Sequence, residues 1–279
     1  MRTITQELIL KFQKHLVNEE KAQATITKYL YDVREFTKWV NSQDINKELV
    51  LEYKSALAEK YAPASVNAAL ASLNSFFTFC EWYDLKVKNL KIQKQIFVSA
   101  EKELTKSEYE RLLQAAKKKK NERLYLLMQT ICSTGIRVSE VCHITVEAVN
   151  RGSAMINCKG KRRQVLLSNQ LCRILKQYIK ENKIKSGAVF VTKNGNPLDR
   201  SNIWSDMKKL CRMAGVLEKK VFPHNLRHLF ARTYYGLQKD IVRLADILGH
   251  SSVNTTRIYT MESGNVHRQQ IEKLGLLQC

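Results

Sequence analysis

Apolar residues recur at helical spacing through the first third of the chain. Over residues 5–17 they fall at Leu8, Ile9, Phe12, Leu16 and Val17, three and four apart, which predicts a helix with one buried face. Residues 25–40 repeat the period with Ile26, Tyr29, Leu30, Val33, Phe36 and Val40. A shorter helix is expected over 49–57. Pro63-Ala64-Ser65 opens a fourth that runs to about Tyr83, with Val66, Leu70, Leu73, Phe76, Phe77 and Cys80 inward. Four amphipathic helices with short joints make a small bundle. Phe76, Phe77, Phe79 and Trp82 suggest a base-stacking platform, but a packed helical core accounts for most of them.

The period is lost over the Lys-rich residues 86–102, which mark a joint. The expected division is a helical domain at 1–90, a linker at 91–103 and a second domain at 104–279. Thr105-Lys106-Ser107-Glu108 has the capping-box pattern that opens a helix. Another helix is expected over 122–133, stopped near Gly135, and a short one over 137–144. Residues 154–158 and 164–167 read as strands of a β-hairpin with a basic tip, Lys159-Gly160-Lys161-Arg162. Residues 188–191 read as a third strand, closed by Asn194-Gly195. The remainder reads as helix with breaks at Pro223, Gly236, Gly249 and Gly264. The fold class is mainly α with a small antiparallel β-sheet.

Composition narrows the function. The chain has 279 residues, 44% of them hydrophobic, which excludes a wholly disordered or fibrous chain. Its net charge of +21 predicts a polyanionic partner, nucleic acid first. The charge is uneven: residues 1–100 hold 14 Lys+Arg and 11 Asp+Glu, whereas 101–279 hold 33 and 15, a net of +18. No apolar run approaches the length of a membrane span, and the start carries no leader pattern, so a cytoplasmic, non-membrane protein is expected. Seven cysteines stand singly, without a CxxC pair, and read as reduced thiols.

Three segments concentrate unusual residues: Thr134-Gly135-Ile136-Arg137-Val138-Ser139-Glu140, Pro223-His224-Asn225-Leu226-Arg227-His228, and Leu248-Gly249-His250 running to Tyr259. A phosphodiester carries negative non-bridging oxygens that must be held during attack. Arginine does this best, because its planar fork donates paired hydrogen bonds and keeps its proton. Arg137 and Arg227 are the candidates, each placed near a helix start. His224 precedes Arg227 by three residues, so a proton acceptor and a phosphate clamp share one helix face. His250 follows a helix-ending glycine and is placed to donate to a phosphate oxygen. Lys159 at the hairpin tip is placed to protonate a leaving oxygen. Tyr259 is the candidate nucleophile. Glu140 reads as orienting Arg137, and His228 as packing or supporting its neighbours. Metal is disfavoured: no HExxH and no grouped carboxylates appear.

In order and spacing these segments resemble the tyrosine recombinase (phage integrase) family, with most likeness to its compact Xer-like members. The first matches a TGxRxxE box, the second HxLRH, and the third LGH with Tyr nine residues after the His. The resemblance implies an N-terminal SAM-like core-binding domain and a C-terminal catalytic domain that together close as a C around duplex DNA. It implies that Arg137 and Arg227 clamp the scissile phosphate, Lys159 protonates the departing 5′ oxygen, His224 accepts the Tyr259 proton, and His250 hydrogen-bonds the phosphate. Tyr259 then forms a 3′-phosphotyrosyl link, with no metal or other cofactor. The implied assembly is a homo-tetramer on two DNA recombination sites that passes through a Holliday junction, with a second recombinase or accessory factor as an optional partner. Residues 265–274 are the expected helix for exchange into a neighbouring subunit. Two departures stand out: Cys158-Lys159-Gly160 where the family often has GKG, and Leu166 where it has Pro. Lys161 is therefore a rival to Lys159. Nothing is expected before the helical bundle, so an arm-type DNA-binding domain is not expected. Competing expectations are a DNA-binding regulator that does not cut and a type IB topoisomerase.

Overall fold

The computed structural model describes residues 2–41, 43–92, 100–158, 161–192, 194–259 and 272–274, and divides into two units, Met1–Lys94 and Gln95–Cys279. The first unit holds α1 (Gln6–Asn18), α2 (Gln23–Val40), α3 (Lys47–Lys60) and α4 (Pro63–Phe79). Each start follows local chemistry. The Thr5 and Asn46 side chains accept from Leu8 N and Leu49 N, and Pro63 occupies the first turn of α4. The periodic positions converge: Phe12, Leu16, Val33, Phe36, Leu70, Leu73, Phe76 and Phe77 are at most 1% exposed. Phe79 and Trp82 are partly buried against this core. The aromatic run is therefore packing, as its helical spacing indicates.

Helix α4 stops at Phe79, short of the expected Tyr83, and a separate 3-10 turn covers Tyr83–Leu85. Beyond it, two asparagines of α4 hold extended backbone. Asn74 exchanges two hydrogen bonds of 2.9 Å with the N–H and C=O of Val87. Asn67 does the same for Leu90, at 2.7 and 2.9 Å. The amide side chain offers one donor and one acceptor, so each Asn acts as a strand partner for a single residue.

The second unit begins with a 3-10 turn at Ala100–Lys102 and then α5 (Lys106–Lys118), α6 (Glu122–Thr134) and a 3-10 helix, Val138–His143. The capping box forms as its sequence indicates: Thr105 Oγ1 accepts from Glu108 N and Glu108 Oε2 accepts from Thr105 N. Next come α7 (Val146–Arg151), β1 (Ser153–Cys158), β2 (Lys161–Leu166) and α8 (Asn169–Glu181). The strands pair antiparallel from Ser153↔Leu166 to Cys158↔Lys161. The hairpin is tighter than expected, because residues 161–163 belong to the strand and not to the tip.

Among the described residues the sheet has only these two strands. The expected third strand at 188–191 is not one. Its ends make isolated bridges, Thr145↔Ala188 and Val191↔Pro197, while Val189 and Phe190 are buried. The run is apolar because it crosses the core, and an unbroken apolar run carries no period that separates strand from buried loop.

After α9 (Arg200–Lys208) and α10 (Cys211–Ala214), α11 (Pro223–Gln238) lies across the unit and contacts both α6 and α12 (Ile241–Leu248). Gly236 was expected to break α11, yet the helix runs through it and ends at Lys239 in the left-handed region. A glycine inside a helix costs only about 1 kcal/mol, and the flanking Tyr234 and Tyr235 pack on the small cluster Ala231, Leu244, Leu248 and Tyr259. Short α13 (Val253–Thr256) and a 3-10 turn, Arg257–Tyr259, complete the described part of the site. The expected helix at 265–274 lies outside the described residues except for 272–274.

Candidate active site

The three motif segments meet at the ends of α6, α11 and α12. Gly135 ends α6 with φ +66°, and a Cβ there would lie 2.4 Å from Phe230 Cδ1 and 3.0 Å from Leu248 Cδ2. Only glycine allows both the turn and this approach. It brings the Gly135 carbonyl to Arg227, whose NH1 donates to it at 2.6 Å. Arg227 NH2 donates to Leu248 O at 2.8 Å and to His250 Nε2 at 2.9 Å. One guanidinium thus ties the ends of α6 and α12 to α11.

Arg227 is only 1% exposed, and no carboxylate pairs with it among the described residues. Its Nε–H meets no acceptor among them. Burial, and then the charge of Arg137, pull its pKa down to about 10, while the Tyr259 hydroxyl acts the other way. The sequence placed Arg227 near a helix N-terminus. The structure puts it a full turn into α11, so the helix dipole is not what it serves.

Arg137 precedes the 3-10 helix and is 38% exposed along its side chain. Glu140, 2% exposed, accepts from the Arg137 amide at 2.7 Å and from its guanidinium at 2.9 Å. Burial disfavours the Glu140 charge, but the Arg137 amide and the Arg163 charge outweigh it and hold its pKa below the usual carboxylate range. The orienting role expected of Glu140 matches this geometry.

Arg163 was not singled out from the sequence. Its NH2 donates to Glu140 Oε2 at 2.5 Å and its NH1 to Ile247 O at 2.5 Å. It therefore joins the hairpin to the Arg137 box and to the end of α12. Gly249, φ +66°, makes the space: a Cβ there would sit 2.4 Å from Arg163 Cδ. A signal existed in the sequence. Period two puts residue 163 on the same strand face as Val165, which is buried, while Arg162 and Gln164 are exposed.

Gly249→Ala is expected to cost roughly 2–4 kcal/mol, from a strained left-handed backbone and from overpacking on Arg163. Gly152, φ +75°, has open space around a would-be Cβ, so Gly152→Ala is expected to lose only about 1 kcal/mol of backbone strain. Urea unfolding of the two variants checks the difference.

Histidines complete the pocket. An arginine can only donate, so His250 Nε2 accepts from Arg227, and the ring proton then sits on Nδ1, 2.8 Å from Thr256 Oγ1. This is the reverse of the donor role expected for His250. Burial, with the charges of Arg227, Arg137 and Arg163, depresses its pKa to about 4. His224 stays exposed, yet desolvation by the surrounding side chains and the charges of Arg227, Arg137 and Arg200 lower its pKa. His228 is lowered to about 4 by burial, then by His224, Arg232 and Arg227. Tyr259 is 4% exposed, with its ring parallel to His250 (5.9 Å, 12°) and edge-on to His228 (4.6 Å, 74°). The structure thus brings Arg137, His224, Arg227, His250 and Tyr259 together. Lys159 lies outside the described residues.

The histidines set an acid limit. His228 and His250 bind protons near pH 4 when folded and near pH 6.5 when unfolded, so the unfolded chain takes up more protons between these values. Stability is fully present above pH 6.5 and falls as pH drops towards 4, by on the order of 3 kcal/mol for the pair after solvent screening. Melting temperatures recorded from pH 7.5 to 4.5 check this, with His228→Gln flattening the slope.

Known proteins agree with this arrangement. Residues 102–265 match the model of the phage integrase family, and residues 9–83 match its N-terminal SAM-like domain. The tyrosine recombinase XerA of Thermococcus kodakarensis is 31% identical over 98% of this chain and 96% of its own. The fold resembles XerH site-specific recombinase bound to difH substrate (TM-score 0.71, 22% identity, 93% of this chain and 83% of that one). It also resembles a lambda integrase tetramer bound to a Holliday junction (TM-score 0.72, 18% identity, 92% and 77%). No helix among the described residues is long and apolar enough to cross a membrane. With two family models spanning most of its length and a pocket of arginines and histidines around one buried tyrosine, the chain belongs to the phage integrase family, the tyrosine-type site-specific DNA recombinases.

Proposed function

We propose that this recombinase cleaves DNA through Tyr259 and conserves the bond energy as a 3′-phosphotyrosyl link. The Tyr259 oxygen bonds to the scissile phosphorus while the bond from phosphorus to the 5′ oxygen breaks. His224 takes the phenolic proton, and Lys159 supplies a proton to the departing 5′ oxygen. Religation to a partner strand runs the same steps backwards. Arg227 carries the assignment: it is a buried cation whose charge is felt by the Tyr259 hydroxyl, with no acid paired to it among the described residues and an unanswered Nε–H. A buried charge of this kind is costly unless paired, and a phosphodiester oxygen supplies the pair. Arg137, half-exposed and steered by Glu140, holds the second oxygen.

His250 fits the same step through its partner. A threonine hydroxyl both donates and accepts, so once a bound phosphate takes the Arg227 NH2 donor in place of His250, Thr256 supports the other tautomer, whose Nε2 proton donates to that phosphate. Two ordered strand exchanges through a Holliday junction, within a homo-tetramer in the cytoplasm, complete the proposed cycle. A second recombinase or accessory factor enters only as an optional partner, and the end use is movement of a mobile element or resolution of DNA dimers.

The test is adduct formation in EDTA on nicked duplexes bearing candidate sites from the protein's own genomic neighbourhood. A protease-sensitive covalent band on a denaturing gel is the expected result. Tight binding with no band would favour a regulator that does not cut, and relaxation of plasmid lacking any site would favour a topoisomerase. DNA affinity is expected to fall steeply with salt, by on the order of 10³-fold or more between 50 and 200 mM, because phosphate contacts release counterions. A flat titration by fluorescence anisotropy would contradict it.

A further inference from the structure

The proposed steps leave one half-buried imidazole without a task. His228 lies one helical turn beyond His224, so the two share a face of α11. Its ring packs edge-on against two others: His224 at 4.5 Å and 76°, and Tyr259 at 4.6 Å and 74°. His228 is thus the common neighbour of the proposed proton acceptor and the proposed nucleophile. We propose that His228 is a positioning residue for strand cleavage, fixing by ring packing the angle at which the Tyr259 phenol faces both the phosphate and His224. This rests on the assignment of Tyr259 and His224 made above.

The need for such a wall follows from tyrosine itself. Its ring torsion is broad, and turning it leaves the phenolic oxygen on the ring axis but rotates the ring plane in which the hydroxyl proton prefers to lie, so the surroundings must set that plane. One side is provided by His250, nearly parallel at 5.9 Å. Tyr259 shares a buried cluster with Ala231, Leu244 and Leu248. His228 meets the ring edge-on, in the T-shaped geometry that aromatic rings prefer. No acid pairs with His228 among the described residues, and desolvation, then the neighbouring His224, Arg232 and Arg227, keep it neutral. Its contribution is therefore shape, with no ion pair involved. Small misplacements of a reacting group are expensive, roughly 10²-fold in rate for about 1 Å.

The test uses the full chain on a nicked duplex that supports wild-type adduct formation, with single-turnover cleavage, DNA affinity and thermal unfolding measured for each variant. His228→Ala is expected to slow cleavage by roughly 10- to 100-fold while DNA affinity stays within about twofold. His228→Phe, which restores a ring edge, is expected to recover most of that loss. Cleavage by His228→Ala at the wild-type rate would overturn the proposal. So would equal loss of affinity and cleavage, which makes the residue structural only, or a folded His228→Phe no faster than His228→Ala. Covalent adduct from Tyr259→Phe would instead overturn the parent assignment, and the two failures are read on separate lanes.

Discussion

Tyr259→Phe is expected to abolish covalent adduct, a loss of roughly 10⁴-fold or more, while DNA affinity stays within about twofold. The substitution removes one oxygen and keeps the ring that stacks on His250 and meets His228. It also keeps the apolar contacts with Ala231, Leu244 and Leu248, so folding should be preserved. No neighbouring group among the described residues offers a substitute: the histidines at this site are weakened bases with lowered pKa values, and the arginines are donors only. A denaturing gel run beside an anisotropy titration separates the two readouts. Parallel loss of both would mean that Tyr259 holds the pocket together and does no chemistry.

Arg227→Lys is expected to reduce cleavage by roughly 10²- to 10³-fold, the scale for removing a donor from a charged transition state. An ammonium is a point charge and cannot reach Gly135 O, Leu248 O and His250 Nε2 from one position as the fork does. The two carbonyls lose a charged donor in a buried place, so stability should fall as well, by about 2–4 kcal/mol. Arg137→Lys provides the contrast. That side chain is 38% exposed and, among the described residues, binds only Glu140, so cleavage should suffer while the unfolding midpoint moves little. Single-turnover rates and urea melts of both variants give the comparison. DNA affinity should change modestly in each, since one phosphate contact among many is altered.

Much of this was legible in the chain. The helical periods of residues 5–17 and 25–40 mark real helices, because amphipathic repeats over several turns admit few other structures. Thr105 to Glu108 forms its capping box because the signal is wholly local. Short apolar runs were less informative: Val189 and Phe190 are buried without their run joining a ladder, and Gly236 sits inside α11. In both cases tertiary packing overrode a weak local preference.

The site divides in the same way. Residue types at fixed spacings identified Arg137, His224, Arg227, His250 and Tyr259, because a phosphate-handling pocket needs forked cations, a neutral acceptor and a nucleophile, and few sequences supply all three in order. Which of them would be buried was not written there. Nor was the Arg163 bridge from the hairpin to Glu140 and Ile247, the clearance that Gly249 gives it, or the tautomer that Arg227 imposes on His250. The hydrogen bonds among those contacts span 23 to 84 residues along the chain. Spacing along a helix or strand determines which side chains share a face. Only the packing of α6, α11, α12 and the hairpin determines which faces meet, and with that each group's charge state and hydrogen-bond direction.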